Sequence, residues 1–417
     1  MSLCAIDDKT EKQLMVIWDL GRRCTFACSY CPPHRKNNWS KTASLDELIA
    51  TADNLERYSE IYNEKRDKKF RVAASFTGGE PTVNPSFFKF LEYLQVEYPH
   101  WKRTLTTNGF YSDRKLRIVM ANTNFTTVSW HCEGTEPQKK QVRKNLQTML
   151  DQGYGFKINI MFHEQDNYYN ECIALAQWCD DNGVQYTPRI IGDQDDTTQG
   201  IKDKTVHEYT PLQIAWMKNY WKAKSDKHGQ PAHEASNMLI RPKETDQRPK
   251  TNQKSVGQKI GRPCCGGRDL ELKDDDTWTT GSFVENNNFK GWSCMINWYF
   301  LYIHQEVNQI WHHQTCQVNM EGEIGPICKV SEFDKYCDKL QITMNTGKIP
   351  YITCPKTHCG CGLCVPKAKH RGLADEIFKS HAPGIIPEPM PMKDIDTRGT
   401  LKSVVYKFDK DNGNETI

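Results

Sequence analysis

Between residues 13 and 190 the chain alternates strand-like and helix-like stretches, and this alternation limits the fold more than any other feature. The predicted strands cover 14–20, 70–77, 103–107, 126–131, 156–162 and 185–190. Each is rich in apolar or β-branched residues and is bounded by polar or glycine positions. The predicted helices cover 45–61, 85–98, 113–122, 137–152 and 167–182, the last ending in Asp180, Asp181 and Asn182 with Gly183 just beyond. Six strand–helix repeats imply an α/β fold whose parallel sheet closes, fully or partly, into a barrel. Such barrels build their sites on the face where the strands end.

Cys24, Cys28 and Cys31 follow the first predicted strand and therefore belong to that face. Three thiolates on so short a loop can take three corners of a four-iron cubane, which wants four ligands. One iron would then keep an open position, the mark of a reactive centre. The same loop admits a second reading, because His34 lies three residues past Cys31 and four such ligands could hold a tetrahedral zinc. After the second strand comes Thr77-Gly78-Gly79-Glu80-Pro81. Two glycines let backbone approach a ligand closely, Glu80 offers a carboxylate suited to an ammonium group, and Pro81 fixes the exit.

The cysteine triplet with Tyr30 before its last member, together with Gly78, Gly79, Glu80 and Pro81, resembles the radical S-adenosylmethionine (radical SAM) superfamily. The resemblance covers roughly residues 13 to 190 and implies a partial (β/α)6 barrel. It also implies a 4Fe–4S cluster on Cys24, Cys28 and Cys31, with SAM chelated at the open iron. One electron then splits the sulfonium bond and yields a 5′-deoxyadenosyl radical, which takes a hydrogen atom from the substrate. Thr107 and Asn108 resemble the segment that contacts the ribose and methionine of SAM. Ser129 and His131 stand where relatives also contact SAM, and Asn159 and Arg189 are placed to face the same cavity. Cys132 is a candidate thiol near the substrate, whereas Cys172 and Cys179 read as core. A flavodoxin or ferredoxin is the implied electron donor.

Residues 191–260 read as a polar insertion or linker. Within it one helix is predicted, with Thr210 as N-cap and Pro211 at the first position. From Lys218 to Arg262 there are 11 Lys or Arg against 4 Asp or Glu, a local net of +7 that reads as a solvated face or as a surface for an anionic or peptidic substrate. Residues 261–369 hold ten of the 17 cysteines, which marks a small metal-dependent domain. Its densest run is Cys354, Cys359, Cys361 and Cys364; upstream candidates are Cys264, Cys294, Cys316 and Cys328. The domain resembles SPASM or twitch extensions, which implies one or two auxiliary 4Fe–4S clusters, though the run is CxxxxCxCxxC where such extensions typically show CxxCxxxxxCxxxC. Zinc for part of the set, with His358, is the alternative. The aromatic stretch 292–313 reads as core or as a substrate lining, and the proline-rich tail 370–417 as an irregular surface segment.

Mean hydropathy is −0.73 and no apolar run is long enough to span a membrane. The start of the chain shows no basic-then-apolar pattern, so its many cysteines point to metal in a reducing, cytoplasmic setting rather than to disulfides. A net charge of +3 does not by itself demand a polyanionic partner. Iron–sulfur extensions are common among enzymes that modify peptides or proteins, which makes a peptidyl substrate the first expectation. A nucleotide, nucleic acid or small metabolite is the second, and a non-catalytic zinc-organised binding module the third.

Overall fold

The computed structural model describes residues 13–31, 36–66, 69–191, 195–196, 201–202, 209–228, 271–272, 278–279, 293–294, 296–312, 325–353, 367–368 and 386–389. The barrel elements run β1 (Gln13–Asp19), α1 (Leu45–Asn63), β2 (Arg71–Thr77), α2 (Phe87–Glu97), β3 (Lys102–Thr107), α3 (Asp113–Asn122), β4 (Phe125–His131), α4 (Glu136–Asp151), β5 (Phe156–Phe162), α5 (Asp166–Asp181) and β6 (Gln185–Ile190). All six strands pair in parallel and in chain order, so the α/β barrel expectation holds. Element ends follow local chemistry. Ser44 with Glu47 and Thr135 with Gln138 form capping boxes at the starts of α1 and α4. Gly153 and Gly183, just past α4 and α5, take φ of 64° and 66°, conformations that cost other residues energy.

Every barrel strand presents one face to helices and the other to the lumen. On the helix side Trp18 meets Phe90 of α2 edge-on with ring centroids 5.3 Å apart, and Phe76 meets Phe87 at 5.6 Å. Arg143 of α4 lies over Trp130 at 5.2 Å, and Phe162 meets Tyr169 of α5 at 5.1 Å. Arg103 of β3 turns outward too, and its Nη1 donates to the carbonyls of Leu94 and Tyr98 at 2.9 Å each, satisfying the end of α2. Each buried aromatic of this layer stabilises the fold by roughly 2–3 kcal/mol. The helix predicted after Thr210 is present as α6 (Pro211–His228), and its Tyr220 packs on Tyr186 of β6 with tilted rings 5.0 Å apart.

The sheet does not end at β1. A strand from the cysteine-rich region, β7 (Phe300–His304), pairs with β1 in parallel, and β8 (Gln309–Trp311) follows it antiparallel, making eight strands in one sheet. A further helix, α7 (Phe333–Asn345), packs on α1, where Tyr58 meets Phe333 at 5.9 Å and Cys337 donates to Asn54 O at 3.5 Å. Trp298, Tyr299 and Tyr302 are buried, so this part of the aromatic stretch is core. Residues 293–294, 367–368, 348–353 and 386–389 form a separate four-stranded sheet. The tail, expected to be irregular, thus supplies Ile386–Pro389 as an edge strand, the position that tolerates its two prolines. No helix among the described residues is long and apolar enough to cross a membrane.

Candidate active site

The cysteine loop and the double-glycine turn lock together through backbone. Gly79 N donates to Gly21 O at 2.6 Å and Glu80 N to Arg23 O at 2.7 Å. A Cβ on Gly78 would stand 2.6 Å from Gly21 O, and one on Gly79 would stand 2.5 Å from Arg23 O. Gly78 also has φ of 136°, a region favouring glycine. The close approach read from these glycines is therefore made to the neighbouring loop. Pro81 is buried and opens the short 3-10 turn Pro81–Val83.

Glu80 corrects its sequence reading. Its carboxylate is 3% exposed and already takes four donors. Thr82 N (3.1 Å), Thr82 Oγ1 (2.7 Å) and Thr107 Oγ1 (2.7 Å) reach Oε1, and Asn108 N (2.6 Å) reaches Oε2. Burial pushes its pKa up while these hydrogen bonds pull it back. The side chain read as a partner for an ammonium group is a buried staple between the ends of β2 and β3. Asn108 carries the connection on: its Nδ2 donates to Thr25 Oγ1 at 2.9 Å and approaches Cys24 Sγ at 3.9 Å.

Cys24, Cys28 and Cys31 are partly buried thiols on this one loop. Burial pushes Cys24 up and drives Cys28 up to about 12, with Glu133, Cys24 and Cys31 adding negative charge around Cys28. Three partly buried thiols gathered on one loop suit a cationic centre that binds them as thiolates. Among the described residues no three His, Cys, Asp or Glu groups converge on a single-ion site. A cubane does not require that, since each thiolate takes a separate iron. The donor set fits a 4Fe–4S cluster. His34 lies outside the described residues.

Strand ends on the far side hold the loop. Tyr30 OH bonds His131 Nδ1 at 2.6 Å and its ring stacks on His131, while Phe26 meets the same imidazole edge-on at 5.7 Å. Burial lowers His131 to about 4, so the ring is neutral when folded. Ser29 donates through both N and Oγ, each at 2.5 Å, to the two oxygens of Glu133. His163, at the end of β5, lies 3.3 Å from Glu133 and 3.0 Å from Glu164. Across the mouth, Asp19 accepts from Gly21 N and from Tyr302 OH of β7 at 3.0 Å each, with His304 3.8 Å away. Glu133, His163 and Asp19 escaped the sequence reading, and His304 entered it only within the aromatic stretch 292–313. All sit at or just past the C-terminal end of a parallel strand, the position that could have flagged the first three.

The lumen itself is polar. Its walls include Ser75 and Thr77 of β2, Thr104 and Thr106 of β3, Thr127 and Ser129 of β4, and Asn159 of β5, none of them fully buried. Filled barrels put branched apolar residues there, whereas these inward positions are polar and partly exposed. Ser129 and Asn159 are neighbours on this wall, and Arg189 stands exposed at the rim of β6. Cys132, Cys172 and Cys179 are fully buried; Cys132 and Cys172 turn their thiols to Met161 O. Cys294 is buried in the small sheet and Cys328 bridges to Ile310. Cys264, Cys316, Cys354, Cys359, Cys361 and Cys364, with His358, lie outside the described residues.

Residues 18–151 match the family model described as the Radical SAM superfamily, which spans both locked loops and runs from the end of β1 to the end of α4. Residues 18–151 thus carry a radical SAM domain. Among curated relatives, a GTP 3′,8-cyclase of Haemophilus ducreyi is 27% identical over 160 residues, 36% of this chain and 42% of that protein. The GTP 3′,8-cyclase of a Sulfurovum species is 24% identical over 172 residues, 39% and 50% respectively. The chain thus spans half or less of the length of these relatives. Among solved structures, Streptococcus suis SuiB aligns with a TM-score of 0.46 at 13% identity, over 80% of this chain and 65% of SuiB. Native anSMEcpe with bound AdoMet aligns with a TM-score of 0.43 at 13% identity, over 78% and 80%.

Proposed function

We propose that this chain reductively cleaves S-adenosylmethionine and uses the resulting 5′-deoxyadenosyl radical to abstract hydrogen from a substrate in the barrel lumen. The reading rests on one observation: three partly buried thiols share a loop that is backbone-locked to the double-glycine turn at the mouth of a polar lumen. Cys24, Cys28 and Cys31 would hold a 4Fe–4S cluster, which when bound supplies the electron for sulfonium cleavage.

The remaining residues position. Gly78 and Gly79 let the two loops meet, and Glu80 fixes Thr107 and Asn108 beneath Cys24. Tyr30 with His131, and Ser29 with Glu133, set the second half of the loop. Ser129 and Arg189 are the lumen-side groups available to SAM, together with backbone of the Gly78–Pro81 turn. The barrel wall and β7 keep bulk water from a reactive radical.

The substrate expectation shifts with the lumen. A peptidyl substrate rested on the cysteine-rich extension, and SuiB has been solved with a precursor peptide. The hydroxyl-lined lumen suits a small polar molecule better, and the curated relatives carry names of nucleotide chemistry. We infer a small polar substrate, with a peptide as the second reading. Auxiliary clusters on the cysteine-rich region, with Cys294 and Cys328 among their ligands, and a flavodoxin- or ferredoxin-like donor complete the proposal. The test is anaerobic assay of 5′-deoxyadenosine from SAM and dithionite. The intact chain should form it and Cys28→Ala should not; product from the variant would reject the assignment of the loop.

A further inference from the structure

Lys157 is a cation in the lumen that nothing above explains. On β5, Phe156, Ile158, Ile160 and Phe162 are buried toward the helices, so Lys157, Asn159 and Met161 face the lumen. Lys157 is half-buried there. It stands in register beside Thr127 of β4, whose other neighbour is Thr106 of β3. These three lie about 5 Å apart from strand to strand. Among the described residues Lys157 has no ion-pair partner. The inner face of β1–β7 carries one carboxylate, Asp19, and that group is already bonded to Gly21 N and Tyr302 OH.

Two residues along the same strand, about 6.6 Å up the wall, Asn159 lies between Ser129 and Thr187. Its Oδ1 is buried and makes no hydrogen bond. A buried acceptor left open is costly unless something donates to it. The wall of β3 to β5 therefore offers an unpaired ammonium, two hydroxyls and a waiting acceptor. That combination matches a ligand with an oxyanion at one end and an N–H or O–H donor a few ångströms away.

We propose that Lys157, with Thr106 and Thr127, anchors an oxyanion of the substrate, a phosphate or a carboxylate, and that Asn159 Oδ1 accepts from a donor on the same molecule. The substrate is then a small anionic metabolite. This deepens the reading of the lumen given above and rests on it. In a lumen walled by protein the ammonium binds such a group more strongly than it would in bulk water. Thr106 and Thr127 supply further donors without sequence-of-peptide selectivity.

The test is calorimetric titration of the anaerobically reconstituted chain, with SAM present, using inorganic pyrophosphate in one arm and succinate in the other. At least one probe should bind, and the tighter one names the oxyanion. Lys157→Met should weaken that binding by about tenfold or more, and Lys157→Arg by no more than about threefold. The arginine variant separates loss of the anchor from loss of the fold. Iron content of each sample reports the cluster independently. An iron-loaded chain that binds neither probe, or a Lys157→Met chain that binds as well as the parent, overturns the anchor and leaves the cluster reading intact. A chain that takes up no iron removes the reading on which the anchor rests.

Discussion

Glu133 accepts two hydrogen bonds from Ser29, one from its amide and one from its hydroxyl, each 2.5 Å long. Ser29 sits between Cys28 and Cys31's turn, so a carboxylate at the end of β4 sets the geometry of a loop that begins after β1. Hydrogen bonds to a charged group contribute about 1.5–3 kcal/mol each. Glu133→Ala should therefore loosen the loop and lower iron retained per chain after desalting, while Glu133→Gln, which keeps an acceptor, should retain more. Equal iron in Glu133→Ala and the parent would remove this residue from the account.

The lock between the two loops makes a sharper claim about glycine. Gly79→Ala places a methyl 2.5 Å from Arg23 O, and relief requires breaking the Glu80–Arg23 bond. The expected cost is about 3 kcal/mol. Gly153→Ala meets nothing within 4 Å and carries only the strain of φ 64°, a cost of about 1 kcal/mol. Denaturant unfolding of the two variants should give that order; a silent Gly79→Ala would show that the loops do not meet as described.

Stability should fall in mild acid before the carboxylates titrate. Burial lowers His131 to about 4 and His312 to about 3, below the ordinary imidazole value. Both are neutral when folded, so the unfolded chain binds more protons between its own pKa near 6.5 and these values. Their contribution is complete above about pH 6.5 and is lost as pH falls toward the folded values, about 2 kcal/mol per histidine by pH 5. Urea midpoints of the metal-free chain at pH 7.5 and pH 5 measure this. His131→Asn should lose less between the two pH values than the parent; an identical loss would mean His131 is charged or exposed when folded.

β7 gives a prediction about the fold. It pairs with β1 along five residues, Met15 with Phe300 through Asp19 with His304. Amides of Leu301 to Ile303 should exchange as slowly as those of β2. Exchange at the rate of an unpaired segment would detach this strand from the barrel.

The six strands of the barrel were legible because their outward positions are apolar and their ends carry glycine or polar residues. Predicted and observed bounds differ by one residue at most. β7 was not legible: Phe300, Tyr302 and His304 alternate with Leu301 and Ile303, which leaves no clear polar face, and its partner β1 lies some 285 positions earlier. The cysteine loop and the Gly78–Pro81 turn were visible as motifs, because chemistry dictates their composition. Their mutual docking was not, since it depends on backbone approach between distant residues. The same holds for Glu80, whose four donors come from two strand ends and whose burial no local pattern announces. Lys157 was passed over because one lysine in an otherwise ordinary strand carries no signal until the register puts it in the lumen.

The most direct test of the central claim is anaerobic iron and sulfide analysis of the intact chain beside a Cys24/Cys28/Cys31→Ala variant. The account predicts that the intact chain holds about four more iron and four more sulfide than the variant. Equal iron and sulfide in the two, or a single zinc lost in place of the cluster, would contradict it.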